Sequence, residues 1–185
     1  ITPEAGKFYN ITLDKDKGYT DDGQGNYTVT SAEGLKNIAK LVNEEWKLDI
    51  NIILTNNIDL TGIDWTPIGI DYNHRYAGTF DGNGKTITGL TVTTSDRYAG
   101  LFGYIGSGGK VKDVTLQDVK IESNHSSGNA GGVAGWSFGG KIENCSVSGS
   151  VSGTTFAGGV VGSQWGGSIT GCNSSATVKG VIFAG

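Results

Sequence analysis

Short apolar runs separated by glycine-rich turns dominate the second half of the chain. Runs such as Val111–Leu116 and Val119–Ile121 are closed by Gly, Asn or Ser within a few residues. Such runs are strand and turn signals. Between residues 130 and 185, no window carries apolar residues at helical spacing over the length of a helix. The pattern therefore predicts β-structure throughout this half.

These runs recur at a fixed interval of 27 residues. The segment Ala130–Gly135 reappears almost unchanged as Ala157–Gly162, and Cys145 corresponds to Cys172. A looser copy of the same pattern begins at Gly100. Self-similarity at one period of this size indicates stacked units that are each too small to bury their own apolar face.

Short strands joined by tight turns at this period favour a parallel β-helix, in which each repeat forms one coil. Equivalent residues of neighbouring coils then stack about 4.8 Å apart. Glycine supplies the left-handed corners and the close backbone approach that such turns need. A β-propeller is the less favoured alternative, because its blades usually take about 40 residues or more.

One helix is predicted near the N-terminus. Thr30 and Glu33 have the spacing of a capping box, with Thr30 as the N-cap. Apolar residues from Leu35 to Trp46 then fall on one helical face. We expect this helix to cover the open end of the first coil, with Trp46 and Trp65 in the cap. The predicted fold class is all-β, a right-handed parallel β-helix (solenoid) with an N-terminal capping helix.

Three segments are predicted along the chain. Residues 1–28 form a strand and turn segment with a strand at Phe8–Leu13, residues 29–86 form the helical cap and the first coil, and residues 87–185 form the repeated coils. The C-terminal coil is expected to be uncapped. Because an uncapped coil exposes strand edges and core, the sequence predicts end-to-end self-association.

One departure from the repeat is expected, and one tight turn ahead of the repeated coils. The spacing from Val111 to Ile142 is 31 residues, so the extra length should form a loop near Ser123–Asn129. Asp81–Gly84 is predicted to be a tight turn between two strands.

The repeat resembles the GLUG repeat of bacterial surface proteins. The resemblance is carried by Gly100–Gly103 and its two copies, each followed by Gly-Gly-x-Ile/Val-x-x-Cys/Val. Trp65–Ile87 is similar to the stretch that precedes these repeats. GLUG repeats occur in adhesin-like proteins of gut bacteria and in the non-catalytic part of some immunoglobulin-A-cleaving peptidases. The resemblance, which covers roughly residues 27–185, implies an extracellular adhesion or scaffold module at the bacterial cell surface.

The composition of the chain argues against nucleic acid as a partner and against a segment that spans a membrane. The net charge of −4 offers no basic stripe for nucleic acid. No apolar run approaches the roughly 20 residues that span a bilayer. The chain begins at Ile1 and has no Met, so we expect an export signal to have been removed.

The pair Cys145 and Cys172 is interpreted as small buried apolar side chains, with a bridge between stacked neighbours as the alternative.

Catalysis is not predicted. Inverting glycosidases need two carboxylates roughly 6.5–9.5 Å apart, yet Glu143 is the only acid after residue 130. Asp113, Asp118 and Glu122 lie in one coil without acidic partners at matching positions in the next. The spacing in Asp14–Asp22 departs from a calcium-binding loop. We therefore expect neither an enzyme nor a cofactor or metal site.

Four aromatic residues are the candidate ligand-binding residues: Tyr104, Trp136, Phe138 and Trp165. They follow the repeated tetrapeptide and are expected in glycine-rich turns, as a ladder of exposed rings. Such rings could stack on sugars or anchor a protein, so the expected partner is a host or matrix glycan or protein. The alternative is that they shield glycine backbone at a corner. A second functional hypothesis is an accessory segment of a larger carbohydrate-active or peptidase enzyme.

Overall fold

The computed structural model describes residues 17–180 and 183–184, so the strand predicted at Phe8–Leu13 lies outside the described residues. The elements of the described part are β1 (Tyr19–Asp21), β2 (Asn26–Val29), α1 (Ala32–Asn43), β3 (Asn51–Leu54), β4 (Ile58–Asp59), β5 (Thr79–Thr88), β6 (Thr91–Thr94), β7 (Tyr98–Ala99), β8 (Phe102–Ile105), β9 (Lys110–Ser123), β10 (Asn129–Gly131), β11 (Ala134–Phe138), β12 (Lys141–Glu143), β13 (Ser146–Gly153), β14 (Phe156–Gly158), β15 (Val161–Trp165), β16 (Ser168–Thr170), β17 (Asn173–Ser174), β18 (Thr177–Gly180) and β19 (Phe183–Ala184).

The strands form a parallel β-helix of about five coils, which confirms the predicted fold class. Among the strand pairs of the described residues, only β1 with β2 is antiparallel. One 12-stranded sheet wraps around most of each coil. A four-stranded sheet (β7, β10, β14, β19) and a three-stranded sheet (β8, β11, β15) complete the wall. Apolar side chains from all three sheets meet in one central core.

The strand register confirms the repeat. Ile142 lies directly beside Ile169, which is 27 residues away. Val111 lies beside Ile142 at the longer spacing, and the register locates the extra length. Residues 124–128 form the predicted loop in one coil where the next coil needs only two residues, and β9 bulges against β13 next to Asp118.

The corners of the coils use left-handed backbone. Asp113, Asn144 and Gly171 stack in one column with φ of 55°, 52° and 62°. Asp, Asn and Gly tolerate this conformation best, and the Asn144 side-chain amide donates to the Asp113 carboxylate at 3.0 Å. The tight turn predicted at Asp81–Gly84 is instead a corner inside β5, where Asn83 has φ of 51°.

The helix α1 covers the first coil as predicted, with Leu35 and Val42 fully buried against the core. Its N-cap is Ser31 and not Thr30, because the Ser31 hydroxyl accepts the hydrogen bond from the Gly34 N–H at 3.2 Å. No helix in the described part of the chain is long and apolar enough to cross a membrane.

The two tryptophans expected in the cap differ in how far they are buried. Trp65 is buried, and its indole N–H donates to the Leu101 carbonyl at 3.1 Å. The expectation for Trp46 is wrong. The helix ends at Asn43, so Trp46 leaves the helical face, adopts φ of 59° and is 58% exposed, with its ring 4.2 Å from that of His74.

The two cysteines stack in neighbouring coils as free thiols. The Cys145 N–H donates to the Cys172 sulfur at 3.4 Å. Cys145 is buried and Cys172 is half-buried. Burial raises the pKa of the Cys145 thiol to about 12, so this group is a neutral core side chain at physiological pH.

Candidate ligand-binding face

The four candidate aromatic residues lie on strands of the three-stranded sheet, and not in the turns where they were expected. Side chains alternate along a strand. Ser137 is buried, so Trp136 and Phe138 on either side of it occupy the outer face. The register places Tyr104 beside Trp136, and Phe138 beside Trp165. All four therefore belong to one outer sheet face.

They form two pairs instead of a single ladder. The ring centroids of Tyr104 and Trp136 are 6.4 Å apart. Phe138 and Trp165 meet edge to face with centroids 5.9 Å apart. The second pair is shifted by one coil and by two residues along the strand relative to the first pair. The rings thus run diagonally across the face.

Tyr104 was expected to be exposed, and this expectation is wrong because only 6% of it is accessible. Three other rings surround it. Tyr98 and Tyr72 meet it edge-on at 5.5 and 6.1 Å, and Trp136 covers it from the next coil. Burial, followed by the neighbouring Tyr98, raises the pKa of the Tyr104 hydroxyl, which therefore stays protonated. We call Tyr72, Tyr98, Tyr104 and Trp136 the four-ring cluster.

A loop delivers Tyr72 to this cluster. The residues on either side of the loop, Ile68 and Tyr76, both bridge to β8. The Ile68 N–H donates to the Leu101 carbonyl at 3.0 Å, and the Tyr76 N–H donates to the Tyr104 carbonyl at 2.9 Å. Tyr72 is 62% exposed between these anchors. Sequence reasoning missed Tyr72 because its loop lies outside the repeated segments, so no repeat position marks it.

The aromatic face is defined as the four-ring cluster together with the pair Phe138 and Trp165. Its exposed rings are fixed by strand pairing and ring contacts. Phe138 is 42% exposed and Trp165 is 69% exposed. An exposed patch of large apolar side chains of this kind is typical of an interaction site.

The acidic side chains of Asp81, Asp113 and Glu143 lie on the 12-stranded sheet, and not on the sheet that carries the aromatic face. Glu143 pairs with Lys110 across neighbouring coils at 2.8 Å. Lys112 contacts both Asp81 and Asp113, and the hydrogen bond to Asp81 is the main reason why the pKa of Lys112 is raised. These ion pairs connect stacked strands. Among residues 17–180 and 183–184, no group of three or more His, Cys, Asp or Glu side chains is arranged to hold a metal ion.

Comparison with known proteins supports the repeat assignment. The GLUG motif matches residues 126–152 and 153–179. A protein provisionally named as a Gly-rich membrane protein of Evansella cellulosilytica is 34% identical over 124 residues, which cover 65% of this chain and 14% of that protein. Halomucin of Haloquadratum walsbyi is 33% identical over 166 residues, which cover 83% of this chain and 2% of halomucin. The chain therefore spans only a small part of the length of these relatives.

A solved structure shares the fold. The crystal structure of a protein provisionally named as an immunoglobulin A1 protease of Bacteroides ovatus matches with a TM-score of 0.70. The two sequences are 23% identical, and the match covers 82% of this chain and 47% of that one. At this identity the likeness shows the β-helix architecture alone.

Proposed function

We propose that this chain, which carries two consecutive GLUG motifs on a parallel β-helix, is a non-catalytic module of an extracellular surface protein that binds glycans through the aromatic face. The observation that carries the proposal is the exposure of large rings on the aromatic face, above all Trp165 and Tyr72. The names of two relatives, a Gly-rich membrane protein and halomucin, support a location at the cell surface.

Exposed aromatic rings favour sugars for a physical reason. Burying apolar area yields roughly 25 cal/mol per Å², so leaving Trp165 and Phe138 in water forgoes a stabilising contribution to the fold. The C–H groups on one side of a sugar ring can cover such a ring, while the sugar hydroxyls remain in contact with water and with the tyrosine hydroxyls. The rings thus provide the apolar part of a sugar-binding surface.

The coils hold this surface in place before a ligand arrives. Trp136 is paired through its backbone with Tyr104 on one side and with Ser163 on the other. The Tyr72 loop is anchored at both of its ends. Side chains that are already ordered lose less conformational entropy on binding, which favours affinity.

The test is a screen of the protein against an array of immobilised neutral and acidic glycans, followed by calorimetric titration of the strongest binder. We expect Trp165→Ala and Trp136→Ala each to weaken binding about 10-fold, equivalent to about 1.4 kcal/mol. Trp165→Phe should retain most of the affinity because a ring remains. Ile53→Ala is the matched control, because Ile53 is a 37% exposed apolar residue on another sheet. Circular dichroism checks that each variant is folded.

Two results would overturn the proposal. One is that no glycan on the array binds at millimolar concentration. The other is that a glycan binds with the same affinity to wild-type protein, Trp165→Ala and Trp136→Ala, which would place its site elsewhere.

A second candidate function is that of an accessory segment in a larger enzyme that acts on carbohydrates or peptides. The fold shared with the Bacteroides ovatus protein favours it. In that case the polymer that this chain binds should be the one that the full-length protein cleaves. Cleavage of an unrelated polymer by the full-length protein would count against this alternative.

A further inference from the structure

Both arginines of the chain lie beside the four-ring cluster. Arg75 and Arg97 are the only arginines among 14 basic residues. The Arg75 guanidinium carbon is 5.1 Å from the ring centroid of Tyr72, and that of Arg97 is 5.4 Å from the ring centroid of Tyr98. These are the two tyrosines that meet Tyr104 edge-on. Each of these cations therefore covers a different ring of the same cluster.

The two arginines differ from the paired lysines in how their charge is balanced. Lys36, Lys47, Lys110 and Lys112 each pair with a carboxylate. Within the described residues, no ion pair includes either arginine. Among the residues that the structure describes, the one hydrogen bond of an arginine guanidinium is that of Arg75 to the Tyr72 carbonyl, at 3.0 Å.

The nearest carboxylates in the sequence are already engaged by other groups. Asp71 accepts from His74 at 2.9 Å. Asp96 accepts from the Thr94 hydroxyl at 3.0 Å. The cluster thus carries two guanidinium groups that form no ion pair among the described residues, in a chain whose net charge is −4.

A guanidinium that lies on an aromatic ring still presents N–H groups at its edge. Those groups match the geometry of a carboxylate or a sulfate, to which arginine can donate two parallel hydrogen bonds. The ring face attracts the cation electrostatically and so helps to hold the guanidinium in place. The arrangement therefore combines apolar ring faces with donors for an acidic group.

We propose that the ligand of the aromatic face is an acidic glycan, with its sugar rings on the four-ring cluster and its carboxylate or sulfate groups at Arg75 and Arg97. This inference rests on the proposed function, and it adds the chemical class of the ligand and the residues that select it. Neutral glycans have the rings as partners but offer neither guanidinium group an acidic acceptor.

The experiment uses matched pairs of saccharides that share one sugar backbone and differ in whether it carries an acidic group. Oligogalacturonate is compared with its methyl ester, and dextran sulfate with dextran, so that carboxylate and sulfate are separated. We expect the charged member of at least one pair to bind at least 10-fold more tightly at 0.15 M salt. Arg75→Gln and Arg97→Gln should each remove most of that advantage and leave the affinity for the neutral member unchanged.

Lys47→Gln is the matched control, because Lys47 also lies over a tyrosine ring, that of Tyr27 at 5.9 Å, but in the cap. This variant should bind as the wild type does. Equal binding of charged and neutral members, or unchanged affinity in both arginine variants, would overturn the inference while leaving the proposed function intact. If no saccharide binds at all, the proposed function itself fails. Tighter binding of polyglutamate than of either acidic saccharide would replace the glycan by an acidic peptide and overturn the inference.

Discussion

The substitution Gly131→Ala tests how closely the coils are stacked. Gly131 is the last residue of β10 and pairs with Gly158 in the next coil. A Cβ atom at this position would lie 2.6 Å from the Gly162 nitrogen and 2.7 Å from the Val161 Cα, and closer still to the Ala134 carbonyl oxygen. Ordinary contacts between such atoms are about 3.5–4.0 Å. All three neighbours are backbone atoms, so two coils must move apart to admit one methyl group.

The expected cost follows from this geometry. Overpacking typically destabilises by about 1–3 kcal/mol, and a clash with backbone belongs at the upper end of that range. Replacing glycine by alanine also lowers the conformational entropy of the unfolded chain, which stabilises the folded state by about 0.4–1 kcal/mol. The net loss should be about 2 kcal/mol. For a chain of this size, this lowers Tm by about 4–8 °C.

The assay is thermal unfolding followed by circular dichroism, with Gly23→Ala as the control. A Cβ at Gly23 would meet nothing within 4 Å, although its φ is +75°. Left-handed backbone costs an L-residue roughly 1–2 kcal/mol, and the entropy gain offsets part of it, so the control should lose less than Gly131→Ala. If Gly131→Ala unfolds at the same temperature as the control or above it, the close stacking of coils around Gly131 is refuted.

Three further predictions concern single side chains. Because burial raises the pKa of the Cys145 thiol to about 12, iodoacetamide at pH 8 should modify the half-buried Cys172 quickly in the native chain and Cys145 only after unfolding. Quick modification of both thiols in the native chain would contradict the burial of Cys145. The hydrogen bond from the Asn144 amide, followed by the one from Lys112, lowers the pKa of Asp113, so the stabilising effect of this carboxylate is present above about pH 4 and is lost as the pH falls through the lowered pKa. Asp113→Asn should therefore reduce the pH dependence of the urea midpoint between pH 5 and 3. Parallel pH profiles of the variant and the wild type would refute this. Trp65→Phe should cost about 1 kcal/mol in urea unfolding, since the Leu101 carbonyl loses the indole donor but keeps a backbone donor; no change would show that the hydrogen bond is unimportant.

The stacking of the coils could be predicted because the 27-residue repeat determines which residues of neighbouring coils lie side by side. Once Cys145 and Cys172 are aligned, every equivalent residue must lie beside its copy if strands pair in parallel, as Ile142 and Ile169 do. The capping helix was predictable from its apolar face for the same reason, namely that the signal is local. Its end was not, because Trp46 has an apolar side chain yet lies beyond the last helical turn.

The candidate site could be predicted only in part. The pair Phe138 and Trp165 follows from the 27-residue repeat. The burial of Tyr104 does not, because it depends on Tyr72, whose loop has no counterpart in the other coils, and on Tyr98. These contacts join residues that the repeat does not relate, so no sequence period could reveal them.

The stacking of coils in register is tested most directly by distances along one column. Thr91, Lys120, Ser150 and Thr177 occupy equivalent positions in four consecutive coils. Pairs of spin labels at these positions, in a chain whose two cysteines are replaced by alanine, report the separations by electron paramagnetic resonance. The structure predicts that the separation grows by about 4.8 Å per coil, to roughly 14 Å between the first and the last position. Neighbouring pairs that are no closer than the first and last positions would contradict the β-helix.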